Sequence, residues 1–176
     1  MTGKGSLNHN SRKFHAKNTD PNRTHWNVEY CNEDIKDVYH ELFDDALKRY
    51  NDKQTRKDRK IDDYYEKIRS GKQEKLFHEV ILQIGDKDNM GSETMEGQLA
   101  AKILDEYMKG FQERNPTLRV FAAHLHLDEA TPHLHIDFIP YVTGSKRGLD
   151  TRVSLKQALS SLGFKGGSRS ETELNQ

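Results

Sequence analysis

Hydrophobic and polar positions alternate with period two through residues 124–128 and again through 133–138, flanked by Val120-Phe121 and Ile139-Pro140-Tyr141, which predicts two β-strands joined by a short turn. His124, His126 and Asp128 share one face against Leu125 and Leu127, and His133, His135 and Asp137 share one against Leu134, Ile136 and Phe138. Thr131-Pro132 stands just before the second strand, where proline is tolerated. A further strand is expected from Phe77 to Ile84, ended by Gly85, and Val28-Glu29-Tyr30 reads as the end of a short one. Elsewhere the period is helical. Asn32 or Asp34 caps a helix to about Tyr50, with Ile35, Val38, Tyr39, Leu42, Phe43, Ala46, Leu47 and Tyr50 as its stripe. Ile61, Tyr64, Tyr65 and Ile68 mark a second, charged helix. Ser92 caps a long one reaching Arg114, with a core face of Met95, Leu99, Ala100, Ile103, Leu104, Tyr107, Met108 and Phe111, stopped by Asn115-Pro116. The last helix runs from Ser154 to Leu162, before Gly163.

Strand, long helix, strand, tight turn, strand is a split βαβ-like order. The expectation is an α+β domain: a mainly antiparallel central sheet, helices packed on one face and the histidines on the open one. Residues 1–164 are expected to form this domain, and 165–176 a polar linker or the start of a missing C-terminal region. Only 33% of residues are hydrophobic, enough for one modest core. The single Cys31 argues against a disulfide framework and suits a reducing cytoplasm. No apolar run approaches membrane-spanning length and no signal peptide is visible.

If the histidine strands pair, imidazoles converge on one face. Neutral imidazole is a common ligand for divalent transition metals, and histidines at i and i+2 project from the same side of a strand. Three such ligands leave coordination positions open, the arrangement of a catalytic site. His126, His133 and His135 are the candidate set, with His124 left outside it as a packing or supporting histidine. Asp128 and Asp137 are candidates to hold ligand imidazoles. Glu129, in the turn beside the ligands, is a candidate proton acceptor or orienting group. In 9–27, a segment rich in Asn, His, Arg and Thr, Arg12 and Arg23 are natural phosphate forks, and Phe14 and Trp26 can stack on bases.

The string His126-Leu127-Asp128-Glu129-Ala130-Thr131-Pro132-His133-Leu134-His135 resembles the metal motif of the MobV (Mob/Pre) plasmid relaxases. His9-Asn10-Ser11-Arg12, followed by Asn18 to Tyr30, resembles that family's N-terminal motif. The resemblance implies the histidine-hydrophobic-histidine endonuclease fold and a divalent ion, Mn²⁺ or Mg²⁺. It also implies an enzyme of plasmid mobilisation that nicks one strand at a transfer origin and stays covalently attached to the 5′ end. The family's proposed nucleophile maps onto His9. His15 nearby, and Tyr64 and Tyr65 on their helix, keep that assignment open.

Net charge is zero, but its distribution is uneven. Residues 48–60 carry seven basic side chains against Asp52 and Asp58, 146–169 carry six against Asp150, and 29–45 carry seven acids against Lys36. Basic segments can track phosphates even when the total cancels. The expected partner is origin DNA, a hairpin with an adjacent single strand, in the bacterial cytoplasm; coupling proteins or self-association through a missing C-terminal region are further expected partners. Two rival readings are a metal-dependent hydrolytic nuclease without a covalent intermediate, and a non-catalytic DNA-binding module with a structural metal.

Overall fold

The computed structural model describes residues 6–14 and 16–164; the expected linker 165–176 and His15 lie outside the described residues. The chain forms two compact units. The first comprises 1–33, 78–114 and 120–138, the second 34–77, 115–119 and 139–176.

The first unit is built around most of two long strands, β3 (Leu118–His126) and β4 (His133–Val142), of which residues 118–119 and 139–142 belong to the second. They are flanked by β1 (Val28–Asn32) and β2 (His78–Gln83) in the order β1–β3–β4–β2. β1 pairs antiparallel with β3 and β2 antiparallel with β4. The register sets Glu79 opposite Asp137, Ile81 opposite His135 and Gln83 opposite His133. Strand alternation therefore lines these three up with the histidine side, while Val80 and Leu82 join Ile136 and Leu134 on the other. β1 is an edge strand with a bulge between Glu29 and Cys31.

The long helix was expected to run unbroken. It is instead α4 (Met95–Lys109), a Gly110 break and a single turn, α5 (Phe111–Arg114). Its cap is Thr94, whose hydroxyl accepts from the Gly97 amide, not Ser92. Half of the predicted core face is buried: Ala100, Leu104, Met108 and Phe111. Met95 (87% exposed), Leu99, Ile103 and Tyr107 face outward. The apolar stripe is wider than the face a helix can bury, and Gly97, Ala100 and Ala101 turn the small side inward for close approach. A Cβ on Gly97 would sit 1.9 Å from the Gly91 carbonyl oxygen. Ser92 instead holds a loop: its hydroxyl donates to the Glu129 carbonyl, fastening the segment before α4 to the β3–β4 turn.

In the second unit α2 (Ile35–Asp52) is capped by Asp34 and buries Val38, Tyr39, Phe43 and Ala46. α3 (Tyr64–Ser70) is capped by Asp63. Tyr64 is a core residue: its ring lies 4.9 Å from that of Phe43 and its hydroxyl accepts from the Val153 amide. Tyr65 packs edge-on to Tyr39 at 5.3 Å. β5 (Arg152–Val153), a strand the sequence did not announce, pairs with the end of β4, and α6 (Leu155–Ser161) follows, capped by Ser154.

Candidate active site

The site lies within the first unit. His126 on β3 and His133 and His135 on β4 have ring centroids 4.9–5.2 Å apart, and one nitrogen from each lies within 4.8 Å of the others. All three are buried. Each ring's outer nitrogen meets an acceptor, which fixes its tautomer. His126 Nε2 donates to the Asn10 carbonyl at 2.8 Å, leaving Nδ1 as the lone pair. His133 Nδ1 donates to the Thr131 carbonyl at 2.9 Å, leaving Nε2. His135 Nδ1 donates to Glu79 Oε1 at 2.8 Å, leaving Nε2 buried without a partner. Burial holds His126 down at about 2 and lowers His133, so both rings are neutral. The lone pairs of His126 Nδ1 and His133 Nε2 then face each other at 3.3 Å, an arrangement that calls for a cation between them. Three neutral nitrogens with one lone pair orphaned fit a divalent transition metal with open coordination positions. His124 is turned away, with its Nε2 3.1 Å from Glu29.

The histidine face carries a cover formed by the N-terminal segment. α1 (Leu7–Asn10) places Asn10 against it, only 2% exposed. The Asn10 amide donates to Glu79 Oε1 (2.8 Å) and Asp137 Oδ2 (3.1 Å). Burial would raise Glu79, but hydrogen bonds from His135 and Asn10 outweigh it and keep its carboxyl below the usual value. Asp137 receives less help, and burial pushes it up to about 7. His9 stands beside Asn10, its ring 6.1 Å from that of His126 and 6.4 Å from that of His135. Its Nε2 is 3.4 Å from Glu129 Oε1, and its side chain stays 24% exposed.

Arg12 is placed otherwise than as a phosphate clamp. It adopts φ +52°, a conformation an L residue holds only against compensating contacts. Those are a two-pronged bond to Asp128 (3.0 and 2.6 Å), a bond to Glu129 Oε1 (2.8 Å) and one to the His9 carbonyl (3.1 Å). Its guanidinium is thus engaged by the turn. Arg23 is likewise tied, to Asp20. Asp128 holds Arg12 and no ligand imidazole; Arg12 keeps it at about 2 despite burial. Asn18 donates to the other oxygen of Glu129 at 2.6 Å, and Asn27 accepts from the Leu127 and Asp128 amides. The structure brings His9, Arg12, Glu129, His126, His133 and His135 into one cluster. Sequence reasoning missed Glu79, the lone acid of a strand that also carries His78 and Gln83, whose partner only the register reveals.

The sequence profile of the plasmid recombination enzymes (Mob/Pre) matches residues 4–164. The chain belongs to this family. A search of curated proteins returned no match. Among solved structures, the Mob/Pre chain is similar to the MobM relaxase domain (MOBV) bound to 22-nucleotide plasmid pMV158 origin DNA, a Mn-bound crystal structure at pH 5.5. Identity is 26% over 94% of this chain and 70% of that one, with a TM-score of 0.52. A second Mn-bound crystal structure of the same domain, at pH 4.6, is 23% identical over 94% of this chain and 84% of that one, with a TM-score of 0.44. The Mob/Pre fold is therefore the α+β sheet with the histidine trio described above. Among the described residues no helix is long and apolar enough to cross a membrane.

Proposed function

We propose that this Mob/Pre enzyme is a relaxase that nicks single-stranded DNA at a plasmid transfer origin, in the bacterial cytoplasm, by transesterification onto His9. The observation that carries the reading is the convergence of three tautomer-fixed imidazole lone pairs beside a partly exposed histidine held next to a carboxylate. A Mn²⁺ ion on His126, His133 and His135 supplies charge neutralisation at the scissile phosphate when bound; nitrogen ligands suit it better than Mg²⁺, which prefers oxygen. Arg12 Nη1, which can only donate, lies 3.2 Å from His9 Nε2, so Nε2 carries the lone pair and Nδ1 the proton, with Glu129 Oε1 3.4 Å away. Nε2 bonds to phosphorus, the P–O3′ bond breaks, the Nδ1 proton is lost to solvent, and the departing 3′-oxygen takes a proton from water. The product is a 5′-phosphohistidine and a free 3′-hydroxyl. Arg12 is a positioning residue that locks Glu129 and the His9 carbonyl. The MobM domain was crystallised with origin DNA and Mn, which supports the same substrate and ion here.

The test is to trap the protein with labelled origin single strand, acidify half, and run denaturing gels. A phosphoramidate is lost in mild acid, whereas a tyrosine phosphodiester survives. An acid-labile adduct that His9→Ala fails to form is expected. Nicking by His9→Ala with no adduct would establish the hydrolytic route instead. An acid-stable adduct would move the nucleophile to a tyrosine.

A further inference from the structure

The second unit contains a cleft of about 620 Å³ between α3 and the β4–β5 loop. Its rim holds Lys67, Lys72, Arg147 and Arg152 against one acid, Glu74. Glu74 acts on Arg152 at a distance, but none of the four cations forms an ion pair with a carboxylate among the described residues. The Arg152 guanidinium donates to neutral oxygens, Ser145 Oγ at 3.0 Å and Gln157 Oε1 at 2.7 Å. The Lys67 ammonium lies 6.0 Å from the centre of the Tyr50 ring, and burial lowers its proton affinity. Among the described residues, the Lys72 and Arg147 side chains have neither a hydrogen-bond nor an ion-pair partner. Three arginines of the unit outside the cleft are paired: Arg49 with Asp150, Arg56 with Asp58, Arg69 with Glu66. The floor is apolar, formed by Ile68, Leu149 and Val153.

Cations gathered at one opening repel one another, and an anion relieves that cost. A cationic rim over an apolar floor suits a nucleic-acid strand, with phosphates at the rim and sugar or base on the floor. The charge of the unit points the same way. It carries 19 Lys and Arg against 14 Asp and Glu, while the unit with the histidine site carries 9 against 14.

We propose that this cleft is a second DNA-contact site, separate from the histidine cluster, in which Lys67, Lys72, Arg147 and Arg152 hold phosphodiester groups of the bound strand. It rests on the reading of this chain as a DNA-acting enzyme. The test uses the intact chain, in chelator so that no cleavage occurs, and a fluorescein-labelled DNA hairpin of arbitrary sequence with a single-stranded arm. Anisotropy gives Kd at several salt concentrations. Lys72→Glu with Arg147→Glu is compared with Lys36→Glu with Lys102→Glu, an equal charge change on exposed residues outside the basic segments. Melting curves check that each variant folds, and the Lys72→Ala, Arg147→Ala pair stands in for a variant that does not. The slope of log Kd against log salt should fall by about 1.4–1.8 in the cleft variant, the loss of two phosphate contacts, and by much less in the control. An unchanged slope overturns the proposal, and so do equal losses in both variants, which would mark general electrostatics only. Because the readout needs no nicking, failure of the relaxase chemistry leaves this result interpretable by itself.

Discussion

Glu79→Ala is the substitution from which the structure predicts most. The carboxylate accepts from His135 Nδ1 and from Asn10 Nδ2, both at 2.8 Å, and is 4% exposed. Truncation leaves two buried donors unsatisfied, at about 1–3 kcal/mol each before any water enters. It also frees the His135 ring to turn or to change tautomer, so that Nε2 no longer reliably offers its lone pair. Loss of a carboxylate behind a ligand histidine typically weakens metal binding by about 10–100-fold. Take a weakening of roughly 30-fold. Mn²⁺ at about 100 times the native Kd stabilises the native protein by about 2.7 kcal/mol, and the variant by about 0.9 kcal/mol. At about 2–4 °C per kcal/mol, the Mn²⁺-induced rise in melting temperature shrinks by roughly 4–7 °C.

Calorimetric titration of Mn²⁺ into metal-free protein measures the affinity directly, and melting curves with and without the ion measure the linked stability. Glu79→Gln separates the two roles. Its carbonyl can still accept from His135, but its amide nitrogen confronts the Asn10 amide, donor against donor. It should recover much of the metal affinity while remaining less stable than native. If Glu79→Ala folds, binds Mn²⁺ with native affinity and gains the same melting increment, the tautomer argument for His135 is wrong.

Three other outcomes follow from the same geometry. His133→Ala should lose nicking and the Mn²⁺-induced melting increment while retaining most DNA affinity, which gel-shift titration checks; a variant that still nicks in chelator would refute the metal role. Asp128 has a folded pKa of about 2 against an ordinary 3.8, so its pairing with Arg12 stabilises fully above about pH 4 and fades as pH falls toward 2. The melting difference between native protein and Asp128→Asn should thus narrow between pH 5 and pH 3, and a gap that widens there contradicts the sign. Gly97→Ala drives a methyl into the Gly91 carbonyl and should cost at least about 1–3 kcal/mol in thermal denaturation; a neutral result would mean that the α4 entrance relaxes freely.

The sequence displayed the histidine strands clearly because period-two alternation and a turn leave little choice of register within a hairpin. α2 was legible for a similar reason, with Asp34 and a stripe of four buried residues agreeing. α4 was not, because its sequence offers more apolar positions than one face can bury; propensity alone cannot say that Ala100 rather than Leu99 faces inward. Long-range pairing was the other blind spot. Nothing in His78-Glu79-Val80 announces that Glu79 backs His135, 56 positions away. Arg12 read as a phosphate fork because the bidentate partner it found, Asp128, lies 116 residues on.

The N-terminal motif acquires a physical meaning from these contacts. Asn10 is fastened three ways: its carbonyl takes the His126 proton, and its amide bridges Glu79 and Asp137. Arg12, two residues on, is fastened to Asp128 and Glu129 across a strained turn. His9 meets Arg12 Nη1 at 3.2 Å and Glu129 Oε1 at 3.4 Å through Nε2 and remains partly exposed; its backbone position follows from its neighbours on the chain. An attacking imidazole must be held in place yet keep a free nitrogen, and anchoring the residues next to it does both. Asn10 also fixes the tautomer of His126, so the element that positions His9 is the one that prepares a metal ligand. Asn10→Ala should therefore weaken Mn²⁺ affinity and adduct formation together, whereas His9→Ala should abolish the adduct and leave Mn²⁺ affinity near native. Calorimetry and gel assay on the same two variants decide this, and an Asn10→Ala protein that keeps native Mn²⁺ affinity would show that the two functions are not joined at that residue.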